Sequence, residues 1–215
     1  MKDFKFHGAG TGFYKDGAVH KGQWGNSKRH GSGATTYANG DHFDGQWSND
    51  KPHGYGQYRW VDGVYTGDWE NGLRHGRGTM KYTAGHMYVG GFRRGKRHGR
   101  GTVTGVDGHT ESGDWIDGKL GFGTLKYGAG HYVGDLNNGL PHGLGEALYL
   151  NQDVYRGAFK NGLRYGLGNF IWSTGTRWEG QWKLGKRHGE GMMTLPNGQE
   201  VLQTFENGRH VGNVD

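Results

Sequence analysis

Thirteen histidines in 215 residues raise the prospect of metal binding or acid–base catalysis, yet seven of them occupy one position of a regular pattern: His7, His30, His53, His75, His98, His142 and His188. Copies carried on successive hairpins would stand about 10 Å apart, too far to share an ion whose nitrogen ligands lie about 2 Å from it. No metal site is expected. The Gly-x-Gly strings that follow, from Gly8 and Gly10 to Gly189 and Gly191, invite comparison with phosphate-cradling loops. None opens a helix after a strand, and no Gly-x-x-x-x-Gly-Lys-Ser/Thr occurs, so they read as backbone spacers. No serine lies in a nucleophile-elbow string, and Asp44, Asp68, Asp114 and Glu179 are repeated features instead of one convergent pair. Neither a catalytic residue nor a cofactor is expected.

The basic residues carry more weight. Lys28-Arg29, Lys51, Arg74, Lys96-Arg97, Lys119, Arg164 and Lys186-Arg187 each precede the patterned histidine or its counterpart and are expected to project along one edge. The densest knot is Arg93, Arg94, Lys96, Arg97 and Arg100. With Lys28, Arg29, Lys186 and Arg187 these form the candidate partner-binding set, for which solvated loops are the plain alternative. A positive stripe suits acidic protein segments, or anionic lipid headgroups at about 1 kcal/mol per basic residue near the surface. The formal net charge of +6 agrees with either. Nucleic acid is not expected, because the aromatics needed for base stacking are committed elsewhere.

The elements that position these groups follow from an internal repeat of 22 or 23 residues. Nine units open at His7, His30, His53, His75, His98, Leu120, His142, Tyr165 and His188, covering 7–212, with a lead-in at 1–6 and a tail at 213–215. Apolar positions within a unit do not follow a helical period, and Asn-Gly or Asp-Gly dipeptides such as Asn39-Gly40 and Asn71-Gly72 mark tight turns between strands. Each unit is therefore two short strands and two turns, giving eighteen strands in an elongated all-β solenoid about 85 Å long, formed as one twisted sheet. Three aromatic rows run along it. The most regular is Trp24, Trp47, Trp69, Phe92, Trp115, Phe159, Trp182 and Phe205, with Leu136 as the exception; stacked ladders facing glycines are expected to form the core.

Composition agrees with this reading. Forty-seven glycines alone would suggest a flexible chain, but 29 aromatic residues accompany them. The absence of cysteine points to a reducing compartment, and no apolar run has signal-peptide or membrane-span length, so a soluble cytoplasmic protein is expected. Repeat five departs from the pattern, with Gly105 and Glu111 where other copies have aromatics, and is the expected weak point. The last unit, with Leu195-Pro196, Val201 and Gln203, reads as a cap whose edge invites association through a terminus.

The consensus His-Gly-x-Gly-(x3)-Tyr-x-Asn-Gly-(x2)-Tyr/Phe-x-Gly-x-Trp-x-Asn-Gly resembles the MORN repeat across essentially the whole chain. The resemblance implies a chain of β-hairpins that organises cytoskeletal, ciliary or membrane-associated assemblies. Segments such as Gly95-Lys96-Arg97-His98-Gly99 are similar to those of small radial spoke head proteins of ciliary axonemes. The implied function is a non-catalytic scaffold in the cytoskeleton, cilium or flagellum, partnered by other proteins of a large assembly or by copies of itself. The alternatives are a peripheral adaptor on anionic membrane lipid and a regulatory subunit of a separate enzyme.

Overall fold

The computed structural model describes residues 5–128 and 130–213, among which nineteen strands form one antiparallel sheet and no helix occurs. Residues 1–4 of the expected lead-in and 214–215 of the expected tail lie outside the described residues. The chain divides into two compact units: one holds residues up to Val106 together with Trp115–Gly118, the other Asp107–Asp114 and everything from Lys119 on.

The first unit contains β1 (Gly8–Phe13), β2 (Val19–Gly25), β3 (Lys28–Thr36), β4 (His42–Ser48) and β5 (Lys51–Trp60). It continues with β6 (Gly63–Glu70), β7 (Leu73–Tyr82), β8 (Met87–Arg93) and β9 (Lys96–Thr104). The division falls within β10 (Thr110–Ile116), the strand that carries Glu111. The second unit contains β11 (Lys119–Tyr127), β12 (Gly130–Asn137), β13 (Leu140–Leu148), β14 (Val154–Lys160) and β15 (Leu163–Ile171). It ends with β16 (Arg177–Lys183), β17 (Lys186–Thr194), β18 (Glu200–Glu206) and β19 (Arg209–Asn213). The repeat count leads to eighteen strands; the nineteenth forms because Arg209-His210 restarts the first-strand pattern and pairs with β18 through Phe205 and His210.

Two kinds of turn alternate. At one side of the sheet, Asn49 and Asp50 have φ of 48° and 68°, and Asn71 and Gly72 have 51° and 85°, the two-residue turns whose twist matches paired strands. Arg94-Gly95 and Leu184-Gly185 adopt the same turn without an Asn or Asp to signal it. At the other side a single glycine, such as Gly40 at φ 86°, closes a longer loop in which Gly40 N–H reaches the Tyr37 carbonyl. Asp62-Gly63 departs from its expected role, since Gly63 is already in β6 opposite Trp60 and the turn is Val61-Asp62.

A bulge then sets the register. Between β4 and β5 the pair Gly45 with Gly56 is followed by Trp47 with Pro52, so His53-Gly54-Tyr55 stands opposite Gln46 alone. Gly54 accommodates this at φ 68°, which explains the glycine after each histidine. The same shift recurs through both units. Its result is a ribbon of glycine facing glycine: Gly22, Gly33, Gly45, Gly56, Gly67, Gly78, Gly90 and Gly101 pair in succession in the first unit.

The core lies on this ribbon. Phe43, Tyr65, Tyr88, Tyr155 and Trp178, all fully buried, reach back over it, and a Cβ on Gly78 would stand 2.4 Å from the Tyr65 ring. Their rings insert between those of the regular aromatic row, so two of the three rows merge into one zipper. In the first unit it runs Trp24, His20, Trp47, Phe43, Trp69, Tyr65, Phe92, Tyr88, Trp115, with each neighbouring pair edge to face at 4.9 to 5.4 Å. Such pairs contribute about 0.5–1.5 kcal/mol each beyond burial. The Nε1 groups of Trp24, Trp47, Trp69, Trp115 and Trp182 donate to ribbon carbonyls, as Trp47 does to Gly33 at 2.8 Å, whereas Trp178 Nε1 is buried without a partner. The third row, which includes Tyr14, Tyr37 and Trp60, is at the rim and only partly covered, because the strands end there.

Candidate interaction surface

Alternation along the strands separates the residues that the sequence groups together. In each Lys-Arg doublet the lysine points away from the aromatic face and the arginine towards it. Lys28, Lys96 and Lys186 are exposed, whereas Arg29, Arg97 and Arg187 are partly covered and pair in register with Trp24, Phe92 and Trp182. Arg29 lies 4.2 Å above the Trp47 ring, Arg97 5.0 Å above Trp115 and Arg187 3.8 Å above Phe205. Arg74 and Arg164 do the same over Phe92 and Trp182, and their Nη2 groups donate to Gly95 O and Gly185 O in the next tight turn. Burial pulls Arg74 and Arg187 below the ordinary guanidinium value. These arginines brace the zipper.

Of the densest knot, Arg93, Arg94, Lys96 and Arg100 are exposed, while Arg97 is held in the ring stack. Arg93 stands 3.9 Å from Asp117, and Arg94 occupies the turn apex at φ 51°. Lys183 and Lys186 flank the exposed Leu184 apex in the same arrangement. The histidine row serves the turns. His75 Nδ1 lies 3.1 Å from Glu70, and His188 Nδ1 accepts from Asn207 N–H at 3.4 Å. Among the described residues no group of three or more His, Asp or Glu is placed to hold a metal.

The residue between the two glycines of Gly-x-Gly, passed over in the sequence as part of a spacer, defines a surface. It faces outward on every first strand, opposite the aromatic side. In the first unit the row is Ala9, Ser32, Tyr55, Arg77 and Arg100, and a shallow groove of about 550 Å³ runs past Tyr55, Arg77 and Arg100 over Gly91. In the second it is Phe122, Leu144, Leu167 and Glu190. Writing out that one position in nine copies would have revealed it. Charge divides likewise: the first unit holds sixteen Lys and Arg against nine Asp and Glu, the second ten against eleven.

A sheet of tandem hairpins with a braced aromatic side and a variable outer side defines a repeat protein of the β-hairpin class. The MORN repeat model matches residues 20–42, 43–64, 65–87, 88–110, 112–131, 132–154, 155–177 and 178–200, and the chain belongs to this family of non-catalytic repeats. No curated protein matches it. Among solved structures it is similar to the wild-type TCP10 domain of Danio rerio CPAP, at 12% identity over 95% of this chain and 98% of that one, with a TM-score of 0.43. The SAS-4 (dCPAP) TCP domain of Drosophila melanogaster is 15% identical over 92% of this chain and 90% of that one, with a TM-score of 0.36.

Proposed function

We propose that this protein is a non-catalytic scaffold whose two units present different outer surfaces to other proteins of a large cytoskeletal assembly. The observation that carries the reading is the asymmetry of side chains on equivalent positions: Arg77 and Arg100 in one unit, Leu144 and Leu167 in the other, on the same backbone plan. Uniform packing would not require it. A ciliary or flagellar axoneme, with the radial spoke head as the specific site, is the assembly we favour, on the similarity of the Lys-Arg-His-Gly segments noted in the sequence. Detergent extraction of cells carrying a tagged copy tests this: retention with the axonemal residue is expected, and release with solubilised membranes overturns it.

A second reading has its own support. Arg93, Arg94 and Lys96 project together from one exposed turn, a geometry suited to anionic headgroups. Under this reading the chain binds vesicles containing phosphatidylserine, and added salt weakens the binding.

A further inference from the structure

One arginine is missing from the row that braces the zipper: β5 has Pro52 where other first strands have Arg29, Arg74, Arg97, Arg164 and Arg187. Register establishes the equivalence, since Pro52 pairs with Trp47 as Arg29 does with Trp24 and Arg74 with Trp69. The ring left without its arginine is Trp69. It stays 9% exposed, against 3–5% for Trp47, Phe92, Trp115, Trp182 and Phe205 beneath their guanidinium groups. A cavity of about 460 Å³ opens there, walled by Tyr37, Tyr58, Trp60 and Trp69 and reaching Gly72. Ligand sites span about 300–1,000 Å³.

We infer that this cavity binds the arginine side chain of a partner protein, which takes the place of the missing brace. The arginine of β15 supplies the pattern. Arg164 lies 4.3 Å above Trp182, 4.9 Å from the Phe170 ring centre and 5.8 Å from that of Tyr149. The equivalents of these rings are Trp69, Tyr58 and Tyr37, all on the cavity wall. Their spacing is kept as well: Tyr58 stands 6.1 Å from both Trp69 and Tyr37, where Phe170 stands 5.7 Å from Trp182 and 5.8 Å from Tyr149. The acceptor is also in place. Gly185 N–H donates to Arg164 O and Gly185 O accepts from Arg164 Nη2, whereas Gly72 N–H donates to Pro52 O at 2.8 Å and proline has no donor to return to Gly72 O. A guanidinium meets both the ring faces and this carbonyl; a quaternary ammonium has no N–H, and a lysine lacks the plane.

Charge permits the occupant. Tyr58 Oη donates to the Asp41 carboxylate, bringing a negative charge beside the site, and Arg29 on one flank is paired with Asp50. Arg74 is on the far wall, but Arg74 and Arg97 already occupy adjacent repeats, so the fold accepts cations at this spacing. Pro141 makes the same replacement in the second unit, where Ala147 stands in place of Tyr58 and that wall is lost.

The test is titration of the full chain with a short capped peptide, glycines on either side of one arginine, and with its lysine and citrulline counterparts, read by the indole N–H resonances of Trp60 and Trp69. The arginine peptide is expected to shift both, and the uncharged citrulline peptide to bind at least about tenfold more weakly. Pro52→Arg supplies the side chain from within, so it should abolish the shifts and raise the melting temperature, while Pro52→Ala leaves the place open and retains them. Tyr58→Leu keeps an apolar wall without a ring face and should weaken the arginine peptide at least about threefold, a readout that does not depend on Pro52→Arg folding. Shifts that persist in a folded Pro52→Arg variant overturn the inference, as do equal affinities for arginine and citrulline or no shift up to about 10 mM peptide. Preference for the lysine peptide gives the cavity to an ammonium ion and also overturns it. The inference adds a partner group to the scaffold reading without supporting it: if the peptide fails while the tagged chain stays with the cytoskeletal residue, only the arginine site falls.

Discussion

The Phe43 ring lies against Gly56 so closely that a Cβ added to the glycine would stand 2.5 Å from Cζ of Phe43. The ring occupies the volume that any side chain at this position would fill. Gly56→Ala is therefore expected to destabilise the first unit by about 3 kcal/mol, through overpacking and displacement of Phe43 from between Trp47 and Trp69. Gly40→Ala is the control: nothing lies within 4 Å of its added Cβ, and its φ of 86° should cost about 1 kcal/mol. Urea midpoints of the two variants compare the causes.

His20 takes the place of Phe43 in the first repeat, wholly buried between Trp24 and Trp47, with Nδ1 2.8 Å from Thr35 Oγ1 and no partner for Nε2. Burial, and then the Arg29 charge, hold its pKa below the ordinary value. The unfolded chain takes a proton near about pH 6.5 while the folded chain does not, so stability is full above that pH and is eroded as pH falls through it towards the folded pKa. His20→Phe should flatten this dependence. Urea midpoints between about pH 8 and pH 5 measure it, and parallel slopes for variant and wild type would refute the role.

Arg164 lies 4.3 Å above the Trp182 ring while its Nη2 reaches Gly185 O at 2.7 Å. A lysine keeps the charge but loses the planar contact, so Arg164→Lys is expected to cost about 1–2 kcal/mol. Lys186→Ala, on an exposed lysine, should stay within about 0.5 kcal/mol of wild type. Thermal denaturation of both variants decides whether the two halves of the basic pattern differ.

Arg94 and Leu184 hold positive φ at turn apices where Asn occurs in most sister repeats. Arg94→Asn and Leu184→Asn should each raise stability by about 0.5–1 kcal/mol, measurable as a higher melting temperature. If Arg94 serves a contact, the stabilised protein will bind anionic vesicles less tightly.

Strands, turns and aromatic rows were legible in the sequence because each has a local signature: Asn39-Gly40 for a turn, Phe43 and Trp47 at strand spacing. Interleaving of the rows was not. It depends on the two-residue offset introduced at His53-Gly54-Tyr55, a property of register between strands that no single strand spells out. The surface was harder still. Lys28 and Arg29 look like one basic patch when read along the chain, but adjacent residues of a strand face opposite ways, and only the lysine is outside. Leu144 and Leu167 were hidden for the opposite reason, as variable letters inside a constant Gly-x-Gly frame.

The tight turns are tied from repeat to repeat by backbone bonds, Asp50 N–H to Arg29 O at 3.0 Å and Gly72 N–H to Pro52 O at 2.8 Å, so each hairpin is fastened to the one before it. Within either unit, tension applied across the strands loads these ties and the ladder bonds one row at a time. Such a structure peels instead of shearing. It yields one hairpin after another, and the hairpins still paired keep their surfaces intact, so each released hairpin has a formed neighbour on which to pair again.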